Sequence, residues 1–114
     1  QAQSVSVSPD GESVAWRSDA TTPGISHLWV GKLFGGTPLR VSGGIVAGGN
    51  VTDFAWSPDG ARLAFVADRV AVGTFDLWSV AVDGSGLQRV NDALPAGGAV
   101  SAFEWSSDSL RLAY

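Results

Sequence analysis

The sequence predicts an all-β protein, a partial β-propeller made of four-stranded antiparallel blades. Three observations carry that prediction. A pattern recurs every 49 residues, each period holds four short β-type runs, and several runs are apolar on both faces. No segment sustains the 3.6-residue periodicity of an amphipathic helix, so essentially no helix is expected.

The repeat is anchored on Ser8-Pro9-Asp10-Gly11. It returns as Ser57-Pro58-Asp59-Gly60 and, altered, as Ser106-Ser107-Asp108-Ser109. The interval is 49 residues both times, with no gap. Ala15 falls on Ala64 and Ala113, and Trp16 on Phe65 and Tyr114. Leu28-Trp29 falls on Leu77-Trp78, Arg40-Val41 on Arg89-Val90, and Phe54 and Trp56 on Phe103 and Trp105.

In the second copy the four runs cover residues 51–56, 62–67, 75–82 and 87–91. All are rich in Val, Phe, Trp and Leu and are bounded by turn residues. The turn between the first two has a physical basis. Pro58 presets φ, Asp59 bonds neighbouring backbone, and Gly60 takes the left-handed conformation that closes the hairpin. With Ser107 and Ser109 the third turn is less tightly specified, and Asp108 is left to nucleate it. Leu77, Trp78, Val80 and Val82 place apolar side chains on both faces of one strand. A two-layer sandwich or a β-solenoid is the alternative, but blades packed around an axis bury both faces of every sheet. Residues 1–50 then form a first blade, 51–99 a second, and 100–114 the first half of a third. The whole reads as one structural unit of a longer propeller.

Residues 54–65, Phe-Ala-Trp-Ser-Pro-Asp-Gly-Ala-Arg-Leu-Ala-Phe, together with Asp76-Leu77-Trp78-Ser79-Val80 and Asp83-Gly84, carry a family resemblance. The chain resembles the WD-like repeats of TolB-like propellers and, more distantly, the non-catalytic propellers of prolyl-oligopeptidase-like serine peptidases. The resemblance spans the whole chain and implies a bacterial periplasmic, secreted or cell-surface setting. It speaks to fold more than to function, because the motif residues are turn and core residues. Family rings hold more blades than two and a half, so the chain reads as a fragment. Its uncovered sheet edges and faces predict self-association of the isolated piece, at the edge near Arg111 and Tyr114 or the face around Val5 and Val7.

Composition narrows function by exclusion. The chain has 114 residues, 45% hydrophobic and 16% charged, which suits a folded domain. Its net charge of −4 disfavours nucleic acid and polybasic membrane contact. No apolar run is long enough for a membrane span. The absence of Cys excludes disulfides, thiolate zinc sites and Cys nucleophiles. His27 is the only His, so neither a Ser-His-Asp triad nor a clustered metal site is expected, and it reads as structural. Asp10, Asp59 and Asp108 recur and could ring a cation, but turn chemistry accounts for them. No Gly-x-Ser-x-Gly elbow and no phosphate-binding loop occurs. Asn50-Val51-Thr52 matches a glycosylation sequon only by coincidence. No cofactor is expected. Trp29, Trp56, Trp78 and Trp105 recur in strands, which points to core and leaves carbohydrate stacking a weak third reading. Trp16 is less fixed.

Strand parity points to the face that could bind. Short turns, 57–60 and 83–86, share one end of the blades. Long loops, 19–25 and 68–74 with connectors 43–50 and 92–99, share the other, and long loops on a rigid scaffold commonly carry binding residues. The candidate binding face therefore holds Asp19, Thr21, Thr22, Asn50, Asp68, Arg69 and Asp92, or else these are solvated connectors. The leading functional reading is a non-enzymatic scaffold binding a protein or peptide partner. The alternative is the accessory propeller of a prolyl-oligopeptidase-like hydrolase whose catalytic domain lies outside this chain.

Overall fold

Each repeat folds as an antiparallel meander because every connection within it is short enough to bring consecutive strands side by side. The computed structural model describes residues 5–19, 23–33, 35–92, 94, 95 and 97–114. The first sheet has the order β1 (Val5–Val7), β2 (Ser13–Ser18), β3 (His27–Lys32), β4 (Gly35–Arg40). The second has β5 (Val51–Trp56), β6 (Arg62–Ala67), β7 (Asp76–Ala81), β8 (Gln88–Arg89). A two-stranded sheet of β9 (Glu104–Trp105) and β10 (Leu112–Ala113) follows. The fold is all-β and consists of partial propeller blades. No helix among the described residues is long and apolar enough to cross a membrane.

The sequence-based bounds of β5 and β6 hold, while β7 and β8 are shorter than expected. Beyond Arg89 the outer strand stops pairing as a ladder. Val90 still donates to the Leu77 carbonyl at 2.8 Å, but the Leu77 N–H goes to the Asn91 side chain at 2.7 Å. A side-chain cap has replaced the last rung.

The turns behave as their residues dictate. Gly11 and Gly60 have φ of 75° and 74°. In the third turn Ser109 occupies the same conformation at φ 63°, the one described non-Gly residue with positive φ. The expected loosening does not occur. Asp108 accepts from Leu110 N–H at 3.0 Å, as Asp59 does from Ala61, and the Ser109 hydroxyl accepts from Asp59 N–H of the previous turn at 2.9 Å. A side chain absent from glycine thus ties one repeat to the next.

Both faces of β6 and β7 are buried. Leu63, Phe65, Ala67, Trp78 and Val80 pack with Ala15, Leu28, Val30 and Val41 of the first repeat. Ala64, Val66 and Leu77 pack on the opposite side with Phe103, Trp105 and Leu112. Two-sided burial is the propeller arrangement. Identical bonds link successive repeats. Trp56 Nε1 donates to Ser6 O at 3.1 Å and Trp105 Nε1 to Ala55 O at 3.2 Å. Val51 N–H reaches Ser26 O at 2.9 Å and Val100 N–H reaches Phe75 O at 2.8 Å. Ser6 and Ala55 are repeat equivalents, as are Ser26 and Phe75, so one geometric step generates both seams.

The assignment of the recurring Trp residues to the core needs one correction. Trp78 is buried, and Trp56 and Trp105 pack half-buried against the two clusters. Trp29 belongs to neither. It stands directly opposite Trp16 across β2 and β3, on the face of the first sheet turned away from the second. Its indole N–H is buried without an acceptor.

Candidate functional site

The long loops at one end of the sheets are built around an aspartate that closes each second strand. Asp68 Oδ2 accepts from Gly73 N–H at 3.0 Å, and Asp19 Oδ2 accepts from Gly24 N–H at 3.2 Å. These are the same bond one repeat apart. Asp68 is buried, and its other oxygen accepts from Asn50 N–H at 2.7 Å. The Asn50 side-chain oxygen accepts in turn from Ser26 N–H at 2.7 Å. Arg69 lies 4.8 Å over the Trp78 ring and donates through Nε to Ser42 O at 3.0 Å. Burial pushes its guanidinium down from the ordinary value.

Asn50, Asp68 and Arg69 are thus brought together, and their polar groups bind the connector between the first and second sheets to the second-sheet loop. Gly49 makes the approach possible, since a Cβ there would stand 2.3 Å from the Asp68 carbonyl oxygen. Asp19 and Asp92 have exposed side chains and lie in separate loops. The Asp92 carbonyl accepts from Asn91 Nδ2 at 2.7 Å. Thr21 and Thr22 lie outside the described residues.

Beside the Asp19 and Asp92 carboxylates, this end offers apolar side chains to solvent. Val70 and Val72 are each 60% exposed, on the loop that Asp68 closes. The connector runs alongside, with Val46 N–H bonded to Arg69 O at 3.0 Å and Gly48 beside the Val72 side chain. Sequence reasoning passed over both valines because it sought polar residues in loops. The signal was present, as Val70-Ala71-Val72 replaces Thr21-Thr22-Pro23 of the first copy.

The remaining candidates have structural roles. His27 is buried, with Nδ1 3.0 Å from Ser42 Oγ, and that oxygen also accepts from Leu28 N–H at 3.1 Å. One repeat on, Asp76 and Asn91 take these places, with Asn91 Nδ2 donating to Asp76 at 2.9 Å. Burial, with the Arg40 charge adding to it, holds His27 below the usual histidine value. Asp10, Asp59 and Asp108 each accept from the Ser two residues earlier in their own turn, and that bond is the main reason each carboxyl is held below its ordinary value. No group of three or more metal-ligating side chains occurs among the described residues.

Fold and loops together define a β-propeller segment. The chain belongs to the family of the lipoprotein LpqB β-propeller domain, whose family model matches residues 34–112. Among solved structures it is similar to the AtxE2 isopeptidase in its apo form, at 24% identity and a TM-score of 0.63, over 92% of this chain and 19% of that one. It is also similar to a TolB from Agrobacterium tumefaciens, at 20% identity and a TM-score of 0.36, over 79% of this chain and 46% of that one. The chain therefore spans less than half the length of either, and the likeness is one of fold. No curated protein matches it.

Proposed function

We propose that this propeller segment is a non-enzymatic scaffold that binds a protein or peptide partner at its long-loop end. The observation that carries the reading is the exposed Val70 and Val72 pair on a loop held rigid by Asp68 and Arg69. Exposed apolar side chains cost nothing in the fold and become favourable when a partner covers them, and a rigid loop loses little entropy on binding. Asp19 and Asp92 would supply the polar rim, and Thr21 and Thr22 remain candidates for it. The test is selection of peptide ligands from a random library, followed by amide shift mapping. Binders should perturb Val70, Val72 and the 43–50 connector, and Val72→Lys should abolish binding without changing the fold. Binders that map elsewhere, or survive Val72→Lys, would overturn the proposal.

The division at residues 50 and 99 into two blades and half of a third, within a longer ring, is part of this reading. So is self-association of the isolated chain. Val5, Val7, Leu110 and Tyr114 are all exposed, and covering them with a second copy removes apolar surface from water. Light scattering over a concentration series tests it, and a strict monomer counts against it. The lipoprotein family supports a periplasmic or cell-surface setting. The AtxE2 likeness supports a second reading, an accessory propeller of a hydrolase. A Gly-x-Ser-x-Gly elbow with a later His elsewhere in the reading frame would favour that second reading.

A further inference from the structure

The two seams between sheets differ in one place. At the first, Ser13, Val30 and Leu39 line a groove of about 230 Å³ that Val82 and Asp83 of the second sheet border. At the second seam the repeat equivalents of those three residues are Arg62, Ser79 and Gln88. They line a groove of about 330 Å³ together with Trp105, Ser109 and Arg111. Two apolar positions have become hydrogen-bonding ones, a serine has become an arginine, and a second arginine faces them from the third repeat.

The substitution at β7 is the informative one. Ser79 replaces a core valine and is only 5% exposed, yet its hydroxyl has no hydrogen-bond partner among the described residues. Gln88 stands directly opposite it across β7 and β8, with an exposed side chain that also borders the groove. The Ser79 hydroxyl opens into the groove, where it is free to donate to an acceptor that enters. Arg62 and Arg111 form no ion pair among the described residues, and no carboxylate lines the groove.

We infer that the groove between the second sheet and β9–β10 binds a small oxyanion, a carboxylate or a phosphate, gripped by Arg62 and Arg111 and seated on Ser79 and Gln88. Guanidinium forks match both anions, and the neutral donors beneath satisfy the remaining oxygen lone pairs. The site lies at the short-turn end, away from Val70 and Val72, so it stands or falls apart from the proposed scaffold function.

Titration of the whole chain with inorganic phosphate, and separately with citrate, followed by amide and indole shifts, tests the inference, with sodium chloride at matched ionic strength as the control. Saturable shifts at Ser79, Gln88 and the Trp105 indole are expected. Whichever of the two anions saturates at lower concentration identifies the preferred class. Arg62→Gln combined with Arg111→Gln should weaken binding by about tenfold or more, from the loss of charge-assisted bonds. Ser79→Val, which installs the first-repeat residue and keeps the core apolar, should weaken it by about fivefold from the loss of one neutral bond. Shifts that rise linearly and are reproduced by sodium chloride would overturn the inference, as would saturable binding unaffected by the double arginine variant.

Discussion

Replacing Gly49 by alanine adds one methyl group where the structure has no room for it. The new Cβ would stand 2.3 Å from Asp68 O, 2.8 Å from the Ile45 side chain and 3.2 Å from Val46 O. Ile45 can turn aside, but a backbone carbonyl at the end of β6 cannot move without its strand. The connector must therefore shift by about an ångström, and that opens the 2.7 Å bond from Asn50 N–H to the Asp68 carboxylate. Overpacking costs about 1–3 kcal/mol. Losing a bond to a charged acceptor costs about 1.5–3 kcal/mol, partly the same energy counted twice. The stiffer unfolded chain returns about 0.5 kcal/mol. The expected loss is about 3 kcal/mol, a large share of the roughly 5–15 kcal/mol that holds a domain of this kind. Gly44 is the control, because a Cβ there meets nothing within 4 Å and its φ is not left-handed. Gly44→Ala should be neutral or slightly stabilising. Urea unfolding with the slope checked for constancy measures both. A Gly49→Ala protein within about 0.5 kcal/mol of wild type would refute the close approach.

Other substitutions probe the joints between repeats. Asp68→Ala orphans the N–H groups of Asn50 and Gly73 and should cost about 2–3 kcal/mol, whereas Asp19→Ala, in an exposed turn, should cost well under that. Trp56→Phe removes the indole bond to Ser6 but keeps a ring, for a loss of about 1 kcal/mol. Trp56→Ala should cost about 3 kcal/mol, and equal losses for the two variants would show that the bond, not the packing, matters. Ser109→Ala keeps the positive φ and loses the bond to Asp59 N–H, while Ser109→Gly loses the bond but relieves the backbone, so calorimetry should rank alanine as the less stable. Because burial depresses His27, the folded protein holds its imidazole neutral. Stability should be level above the unfolded value of about 6.5 and decline as pH falls through it toward the lower folded value. His27→Gln should flatten that decline, and an unchanged pH profile would sink the assignment.

Much of the architecture was legible because it was written twice. A 49-residue register, turn tetrads and alternating runs specify strand order whenever every link is short, so β1 to β7 follow almost directly from residue type. The outer strand was harder to bound, since pairing at Arg89 ends in a side-chain cap by Asn91, and nothing local distinguishes a cap from a rung. Trp29 was misjudged for a related reason. Its spacing matches Trp78, but the face it occupies has no second sheet upon it, and burial is a property of neighbours. The long-loop end was located by strand parity alone, yet its working surface was not. Asp68, Asn50 and Arg69 looked available as polar loop residues, while in the fold their groups are consumed by each other and by neighbouring backbone.

By itself the sequence determined the strand plan, the turn chemistry and the absence of thiol chemistry, because these depend on residue type and spacing along the chain. Only the tertiary structure decided which polar groups are spent on the fold and which face outward. It made Asp68 a strut, gave Ser109 a bond to the preceding turn, left Val70 and Val72 uncovered and placed Ser79, Arg62 and Arg111 around one groove. These outcomes turn on contacts between residues up to fifty positions apart, and hydrogen-bond satisfaction at that range is fixed by how sheets stack, which no local pattern encodes.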